Sequence, residues 1–168
     1  TGEGNAVRRL RLDQWAKPSV RWMPTEKWDA CAFPVDAQTL AGRVCYGGLD
    51  LSSTTDITAF VLVFPPEDES DKYQVLPYFW IPEENVDLRV KRDHVPYDVW
   101  KRQGFLRTTE GNVVHYGFIE KFIGQLGERY NIREIAFDRW GAVQMTQNLE
   151  DMGFTVVPFG QGYKDMSP

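Results

Sequence analysis

The stretch Val44-Cys45-Tyr46-Gly47-Gly48-Leu49-Asp50-Leu51 decides the fold, because it is an apolar run that stops abruptly in a polar turn, Ser52 to Asp56. A second run, Ile57 to Phe64, follows at once and is rich in β-branched and aromatic residues. Runs of this length and composition predict strands. Tyr73 to Ile81 predicts a third strand, and three consecutive strands with short connections favour an antiparallel meander.

The second half of the sequence alternates between helix and strand. Tyr116 to Tyr130 carries apolar residues at helical spacing, and this stripe predicts a helix; its members are Phe118, Ile119, Phe122, Ile123, Leu126 and Tyr130. A strand at Arg133–Asp138, a helix at Ala142–Met152 stopped by Gly153, and a fifth strand at Phe154–Pro158 complete the pattern.

This order predicts an α/β protein with a mixed sheet and flanking helices. It is the order of the ribonuclease H-like fold. That fold normally adds one more helix, and we expect this last helix to be missing because the sequence stops at Pro168.

Residues 82–112 are predicted to be an insertion rather than a core element. Within them, Glu83 to Asp93 and Tyr97 to Gln103 favour short helices, and Gly111-Asn112 indicates a turn. Residues 1–42 are irregular, with scattered tryptophans and a possible short helix opening at Thr25, so we expect a linker or arm there. Residues 43–168 would then form one domain, incomplete at its C-terminal end.

The composition is that of a soluble globular protein, with 42% hydrophobic and 26% charged residues among 168. The net charge of −5 does not indicate the basic surface expected of a nucleic-acid binder, although a site that collects carboxylates is compatible with it. Cys31 and Cys45 form no CxxC pattern and no zinc set with His94 and His115. No apolar run approaches about 18 residues, so we expect no membrane span.

Two aspartates lie at the ends of apolar strands and are the candidate metal-binding and catalytic residues of the sequence. Asp50 ends the first predicted strand and Asp138 the fourth, 88 positions later. In the fold proposed, these strands are neighbours, so their carboxylates would meet at one edge of the sheet. Adjacent carboxylates repel each other unless a cation lies between them, and Mg²⁺ or Mn²⁺ prefers such oxygen ligands. The alternative is that each aspartate only forms a turn or caps a helix.

Asp56 and Arg139 lie close to these aspartates in the sequence. Asp56 could be an additional acid behind the metal ligands, but a turn role through the amides of Thr54 or Thr55 is favoured. Arg139 could contact a phosphate or pair with a surface acid.

Basic residues of the predicted insertion could contact DNA. Lys101, Arg102 and Arg107, with Lys91-Arg92 before them, add local positive charge that could follow a DNA backbone. A solvated surface is the more usual outcome for such charges. His94 and His115 lie away from the strand ends and are expected to be structural or exposed.

Two segments resemble the large terminase subunit of tailed phages. Gly47 to Ala59 is similar to the family's first nuclease strand, of the type G-x-D-L-S-S-T-x-D, and Ile135-Ala136-Phe137-Asp138-Arg139-Trp140 resembles the strand that carries the second catalytic acid. Trp15 and Trp28-Asp29-Ala30-Cys31 resemble the segment that connects the family's ATPase and nuclease domains.

The resemblance implies a two-metal DNA endonuclease that uses Mg²⁺ or Mn²⁺ to cut concatemeric viral DNA, with Asp50 and Asp138 as catalytic metal ligands. It implies a preceding ATPase domain that this sequence does not contain, double-stranded DNA, the portal protein and the small terminase subunit as partners, and the host cytoplasm as location. The family also uses a third acid after the fifth strand. Asp165 does not lie in the expected context, which places the activity of this chain in question.

Two other functions stay open at this point. A non-catalytic DNA-gripping or docking module would use the same acids structurally. An actin-like ATPase domain is suggested by Asp50 followed by Ser52 to Thr55, but the second phosphate loop and the glycine-rich adenosine site of that class are not visible in the sequence. A P-loop GxxxxGK[ST] motif is also not present.

Overall fold

The computed structural model describes residues 23–52, 56–138, 143–160 and 162. The chain divides into two units, Thr1–Pro34 and Val35–Pro168. In the described part of the first unit, helix α1 spans Thr25–Asp29 and buries no residue. This confirms the short helix predicted to open at Thr25.

One mixed sheet organises the described part of the second unit. Its strands, in chain order, are β1 (Val44–Asp50), β2 (Thr58–Phe64), β3 (Gln74–Pro82), β4 (Arg107–Thr109), β5 (Asn131–Asp138) and β6 (Val156–Phe159). They lie in the order β4-β3-β2-β1-β5-β6. β1, β2 and β3 pair antiparallel, whereas β5 pairs parallel to β1 and to β6. The predicted meander and the predicted pairing of the first and fourth strands are therefore confirmed.

Helices connect the strands outside the meander. A 3₁₀ turn at Glu83–Asn85 leads into α2 (Val86–Asp93), and α3 (Tyr97–Arg102), α4 (Tyr116–Arg129) and α5 (Val143–Asp151) follow. The residue predicted to begin α5, Ala142, lies outside the described residues. No helix in the described part of the chain is long and apolar enough to cross a membrane.

The main core lies between one face of the sheet and helices α4 and α5. In β2 every second residue is buried, as the period of two of a strand requires, so that Phe60, Leu62 and Phe64 face the helices. α4 buries Ile119, Ile123 and Leu126, at a spacing of three and four residues. The apolar stripe predicted for α4 was wrong at Phe118, which is 49% exposed because it precedes Ile119 by one residue and so lies about 100° around the helix.

Residues 82–112 contribute to the sheet, so the prediction that they are only an insertion was wrong. β4 pairs parallel to β3 at the sheet edge, with Ile81 opposite Thr108. A second apolar cluster lies beside it; its buried members are Ile81, Val86, Tyr97 and Leu106. The strand was missed because Arg107-Thr108-Thr109 has neither an apolar run nor sufficient length, and it is held in place by its pairing with β3.

Part of the predicted arm also packs in the second unit. Leu40 is completely buried in the main core. Gly42 adopts φ 76°, a left-handed conformation suited to glycine, and its amide donates to the Arg129 carbonyl at 2.8 Å. The chain therefore enters β1 from a fixed position beside the C-terminal end of α4.

Candidate active site

Asp50 and Asp138 end two neighbouring parallel strands. Leu49 in β1 lies opposite Phe137 in β5, and each aspartate is the next residue of its strand. Adjacent strands are about 4.8 Å apart, so the two aspartates lie side by side on neighbouring strands, one strand spacing from each other. The sequence predicted that Asp50 and Asp138 meet at one edge of the sheet, where their strands end, and the structure confirms this.

The two aspartates share the sheet face opposite the main core. Leu49 is buried in that core and Phe137 packs against it. Because side chains alternate along a strand, the next residue in each case points to the other face. There, Asp50 and Asp138 line a shallow cavity of about 330 Å³ whose other walls are small or apolar: Gly48, Leu49, Ala59, Val61, Ala136, Phe137 and Phe159.

The electrostatic environment disfavours a charged Asp50 carboxylate. Partial burial raises the pKa of Asp50, and the negative charges of Asp56 and then Asp138 raise it further. Asp56 and Asp138 therefore both lie within electrostatic range of Asp50. A cation placed among them would reverse the last two effects.

Asp56 lies in a turn that is tied to the first residues after β1. The amide of Ser52 donates to the Thr58 hydroxyl oxygen at 2.9 Å, and that hydroxyl donates back to the Ser52 carbonyl at 3.0 Å. The Asp56 amide donates to the Ser52 hydroxyl oxygen, and the Asp56 carboxylate accepts from the amide of Ile57 at 2.8 Å. The predicted contacts with Thr54 and Thr55 lie outside the described residues.

The basic residues considered for DNA contact have partners within the chain. Lys101 pairs with Glu83 at 2.8 Å, and Arg102 pairs with Asp98 at 3.0 Å. The Arg107 guanidinium lies 4.6 Å from the centre of the Phe122 ring.

The remaining candidate residues either do not line the cavity beside the two aspartates or lie outside the described residues. His94 ends α2 with φ 55°, and His115 precedes α4. Arg139 and Asp165 lie outside the described residues. Within residues 23–52, 56–138, 143–160 and 162, no cluster of three or more His, Cys, Asp and Glu side chains is arranged to hold a metal ion.

Sequence reasoning missed two polar residues beside the site. Thr58 is completely buried and closes the turn after β1. Arg89 is 5% exposed and donates to the carbonyl oxygen of Asp56 at 3.1 Å. A buried threonine two positions after Asp56 could have been predicted from the alternation of β2, but nothing local marks Arg89, which lies 33 positions further along the chain.

Asp50→Asn is expected to stabilise the metal-free protein at pH 7. The pKa of Asp50 is raised above its unfolded value, so its ionisation disfavours the folded state, and this penalty is fully present only above the folded pKa. Asp50 is exposed, so solvent screening keeps the gain below about 1 kcal/mol. Thermal unfolding in EDTA should show a higher Tm for the variant at pH 7, and this difference should shrink as the pH falls toward 4. A variant that is less stable than the wild type at pH 7 would contradict the expectation.

The fold and the pair of acids together define the structural class of the chain. A mixed sheet with an antiparallel meander, parallel strands β1 and β5, and an aspartate at the end of each of those strands is the ribonuclease H-like arrangement predicted from the sequence. The family model described as "Terminase large subunit, endonuclease domain" matches residues 5–168. The chain belongs to this family.

Two relatives and one crystal structure show how the chain fits within longer proteins. The chain is 36% identical over 167 residues to the terminase large subunit of Enterobacteria phage HK97, covering 98% of this chain and 32% of that protein. It is 24% identical over 173 residues to protein YmfN of Escherichia coli K12, covering 97% of this chain and 37% of that protein. The structure also matches the crystal structure of the HK97 large terminase with a TM-score of 0.73, and the match covers 98% of this chain and 34% of the terminase chain. The chain thus spans about a third of the length of these relatives.

Proposed function

We propose that this chain is a metal-dependent endonuclease acting on double-stranded DNA, in which Asp50 and Asp138 hold Mg²⁺ or Mn²⁺. The observation that carries the proposal is the placement of these two carboxylates at the ends of adjacent parallel strands, on an open face of the sheet. Membership of the terminase endonuclease family supports the reaction class.

The donor set fits a hard divalent cation. Both ligands are carboxylates, which Mg²⁺ and Mn²⁺ prefer over nitrogen or sulfur donors. Burial and neighbouring negative charge raise the pKa of Asp50, so a bound cation would relieve an existing repulsion as well as gain ligand bonds. Two such ions would activate a water molecule and stabilise the leaving oxygen of a phosphodiester.

The protein's own contribution is position and space. β1 and β5 hold the two carboxylates at a fixed separation, because their main chains are hydrogen-bonded up to the preceding residues Leu49 and Phe137. Gly48, Ala59 and Ala136 keep the cavity wall low, so a phosphate of the DNA backbone can approach the acids. Asp56 adds negative charge from the turn and is proposed to act behind the ligands rather than as one of them.

Family resemblance extends the proposal to a third acid and to the whole packaging machine. The third ligand would come from the segment after β6. Asp165 is in that segment but not in the context expected of this acid, and it lies outside the described residues. The complete protein is proposed to cut concatemeric viral DNA in the host cytoplasm, together with the portal protein and the small terminase subunit. Arg139 is proposed as a phosphate contact beside Asp138. Lys101, Arg102 and Arg107 are weaker proposals for DNA contact, because acids or aromatic rings of the same chain already engage them.

Metal titration tests the proposed site directly. We expect Mn²⁺ to bind the wild-type chain in isothermal titration calorimetry and to bind Asp138→Asn at least about 10-fold more weakly, because one of the proposed carboxylate ligands is lost. Glu134→Gln is the matched control, since it removes a carboxylate from the same strand and face about 13 Å away. Equal binding by wild type and Asp138→Asn would rule out the proposed ligand. If the wild type binds no Mn²⁺ and neither it nor a version extended past Pro168 cleaves DNA, the docking-module alternative is favoured.

A further inference from the structure

Arg89 is a buried arginine in α2 with contacts to three different segments. Only 5% of the residue is exposed. Its guanidinium donates to the Asp56 carbonyl at 3.1 Å, to the Tyr97 hydroxyl at 3.3 Å and to the Asp93 carboxylate at 3.4 Å. It also lies 4.7 Å from the centre of the Tyr97 ring. Arginine is seldom buried without partners, and here the planar fork of donors is used in three directions.

The contact with Asp56 reaches the turn that follows β1. The hydrogen bonds among Ser52, Asp56 and Thr58 close this turn on itself. The bond from Arg89 is different in kind, because it fastens the turn to a helix 33 positions away in the sequence. The Asp56 amide in turn donates to the Ser52 hydroxyl oxygen at 3.0 Å, and Ser52 lies two residues after Asp50. The main chain that Arg89 holds is therefore tied by hydrogen bonds to the segment directly after the proposed metal ligand, and it carries the acid Asp56.

A neighbouring acid, Asp93, offsets part of the charge of Arg89. Asp93 bonds to Arg92 and to Arg89, and Arg92 chiefly, with help from Arg89, lowers the pKa of Asp93 to about 2. Asp93 is then a carboxylate at any pH at which the protein would be assayed. Asp93 is shared by two guanidinium groups and offsets the positive charge of Arg89 only in part, so a lysine at this position, which keeps the charge, separates the geometric effect of the guanidinium from its charge.

We propose that Arg89 is a positioning residue that fixes the main chain at Asp56, sets how closely the Asp56 carboxylate approaches Asp50, and so tunes the affinity of the site for a divalent cation. This inference rests on the proposed metal-binding function. Without the guanidinium, the Asp56 carbonyl loses its bond to α2 and the turn can move away from the end of β1. Groups that orient metal ligands from behind commonly change metal affinity by about 10- to 100-fold when they are removed.

Two measurements on Arg89→Gln test the inference. Amide hydrogen exchange, followed by NMR, reports whether the amides of Asp56 and Ile57 lose protection. Calorimetric titration with Mn²⁺ reports the affinity of the site. We expect exchange at these amides to be at least about 10-fold faster in the variant, and Mn²⁺ binding to be about 10-fold weaker.

Arg129→Gln is the matched control. The Arg129 side chain also donates to a main-chain carbonyl, that of Ala37 at 2.8 Å, and lies 5.3 Å from the centre of the Tyr130 ring. It lies beside the start of β1, at the opposite end of the strand from Asp50. The Arg129→Gln substitution should therefore leave the exchange of the Asp56 and Ile57 amides and the Mn²⁺ affinity unchanged. Arg89→Lys serves if Arg89→Gln does not fold. Lysine keeps the charge beside Asp93, but its three donors sit on one nitrogen and lack the planar fork that reaches Asp56, Tyr97 and Asp93 together, so this variant should show both effects in weaker form.

The possible outcomes separate this inference from the proposed function. If Mn²⁺ binds the wild type and is lost in Asp50→Asn, but Arg89→Gln binds it as tightly as wild type, Arg89 only joins α2 to the turn and the inference is wrong. Unchanged amide exchange in a folded Arg89 variant also overturns it. If the wild type binds no Mn²⁺ at all, the proposed function itself fails, whatever the exchange data show.

Discussion

Asp50→Asn is expected to lower the rate of metal-dependent DNA cleavage by about 10³-fold or more. A bound divalent ion supplies several kcal/mol of transition-state stabilisation, and each 1.36 kcal/mol corresponds to a factor of ten in rate. Asparagine keeps the size of the side chain but removes the charge that would hold the ion. The measurement is nicking and linearisation of plasmid DNA with Mn²⁺, Mg²⁺ or EDTA, using this chain and a version extended past Pro168.

Glu69→Gln is the control for loss of one negative charge. Glu69 is exposed in the loop between β2 and β3, at the end of the sheet away from Asp50. The Glu69→Gln variant should cleave DNA at the wild-type rate. Cleavage that appears only in the extended version would locate a further ligand beyond Pro168. Metal-dependent cleavage by Asp50→Asn at the wild-type rate would show that Asp50 does not hold the ion.

The expected rise in stability of Asp50→Asn makes the loss of activity interpretable. A variant that is inactive because it is unfolded would have a lower Tm, whereas loss of a metal ligand predicts an inactive protein that is at least as stable as the wild type without metal. Added Mn²⁺ should raise the Tm of the wild type more than that of the variant, since a ligand stabilises only the state that binds it.

Gly47→Ala is expected to destabilise the protein by about 1–3 kcal/mol, the usual effect of overpacking a core. A β-carbon at this position would lie 2.9 Å from Cε2 of Phe60 and 3.2 Å from Cγ1 of Ile135. Both side chains are fully buried, so neither can move aside without disturbing the core. Urea-induced unfolding, followed by circular dichroism, measures the change.

Gly48→Ala is the matched control because it makes the same change one residue later. A β-carbon there meets nothing within 4 Å, since Gly48 faces the open side of the sheet. This variant should be neutral or more stable by up to about 1 kcal/mol, as alanine restricts the unfolded chain more than glycine does. If the two variants are equally stable, Gly47 is not required for close packing between β1, Phe60 and Ile135.

Most of the fold could be predicted because its signals are local. Apolar runs of strand length, polar turns and one well-formed helical stripe located β1, β2, β3, β5 and β6 to within two residues at every boundary. The order of those elements was enough to pair β1 with β5. The positions of Asp50 and Asp138 followed from the same runs, because each aspartate is the residue at which an apolar strand ends.

What the local signals could not supply were contacts between distant segments. β4 is three polar residues long and is a strand only because the edge of β3 offers hydrogen bonds to it. The partner of Lys101, Glu83, became visible only when the helices were placed, and the same is true of the ring beneath Arg107.

The sequence by itself determined which residues form β1, β2, β3, β5 and β6 and that two aspartates stand at strand ends, since apolar runs and the turns that end them are set by neighbouring residues. Only the tertiary structure decided what surrounds those aspartates. Arg89 reaches Asp56 across 33 positions of the chain, and the cavity beside Asp50 is formed by residues of β1, β2, β5 and β6 together. Contacts of this kind depend on how the strands and helices pack in three dimensions, and no periodicity within a single segment encodes them.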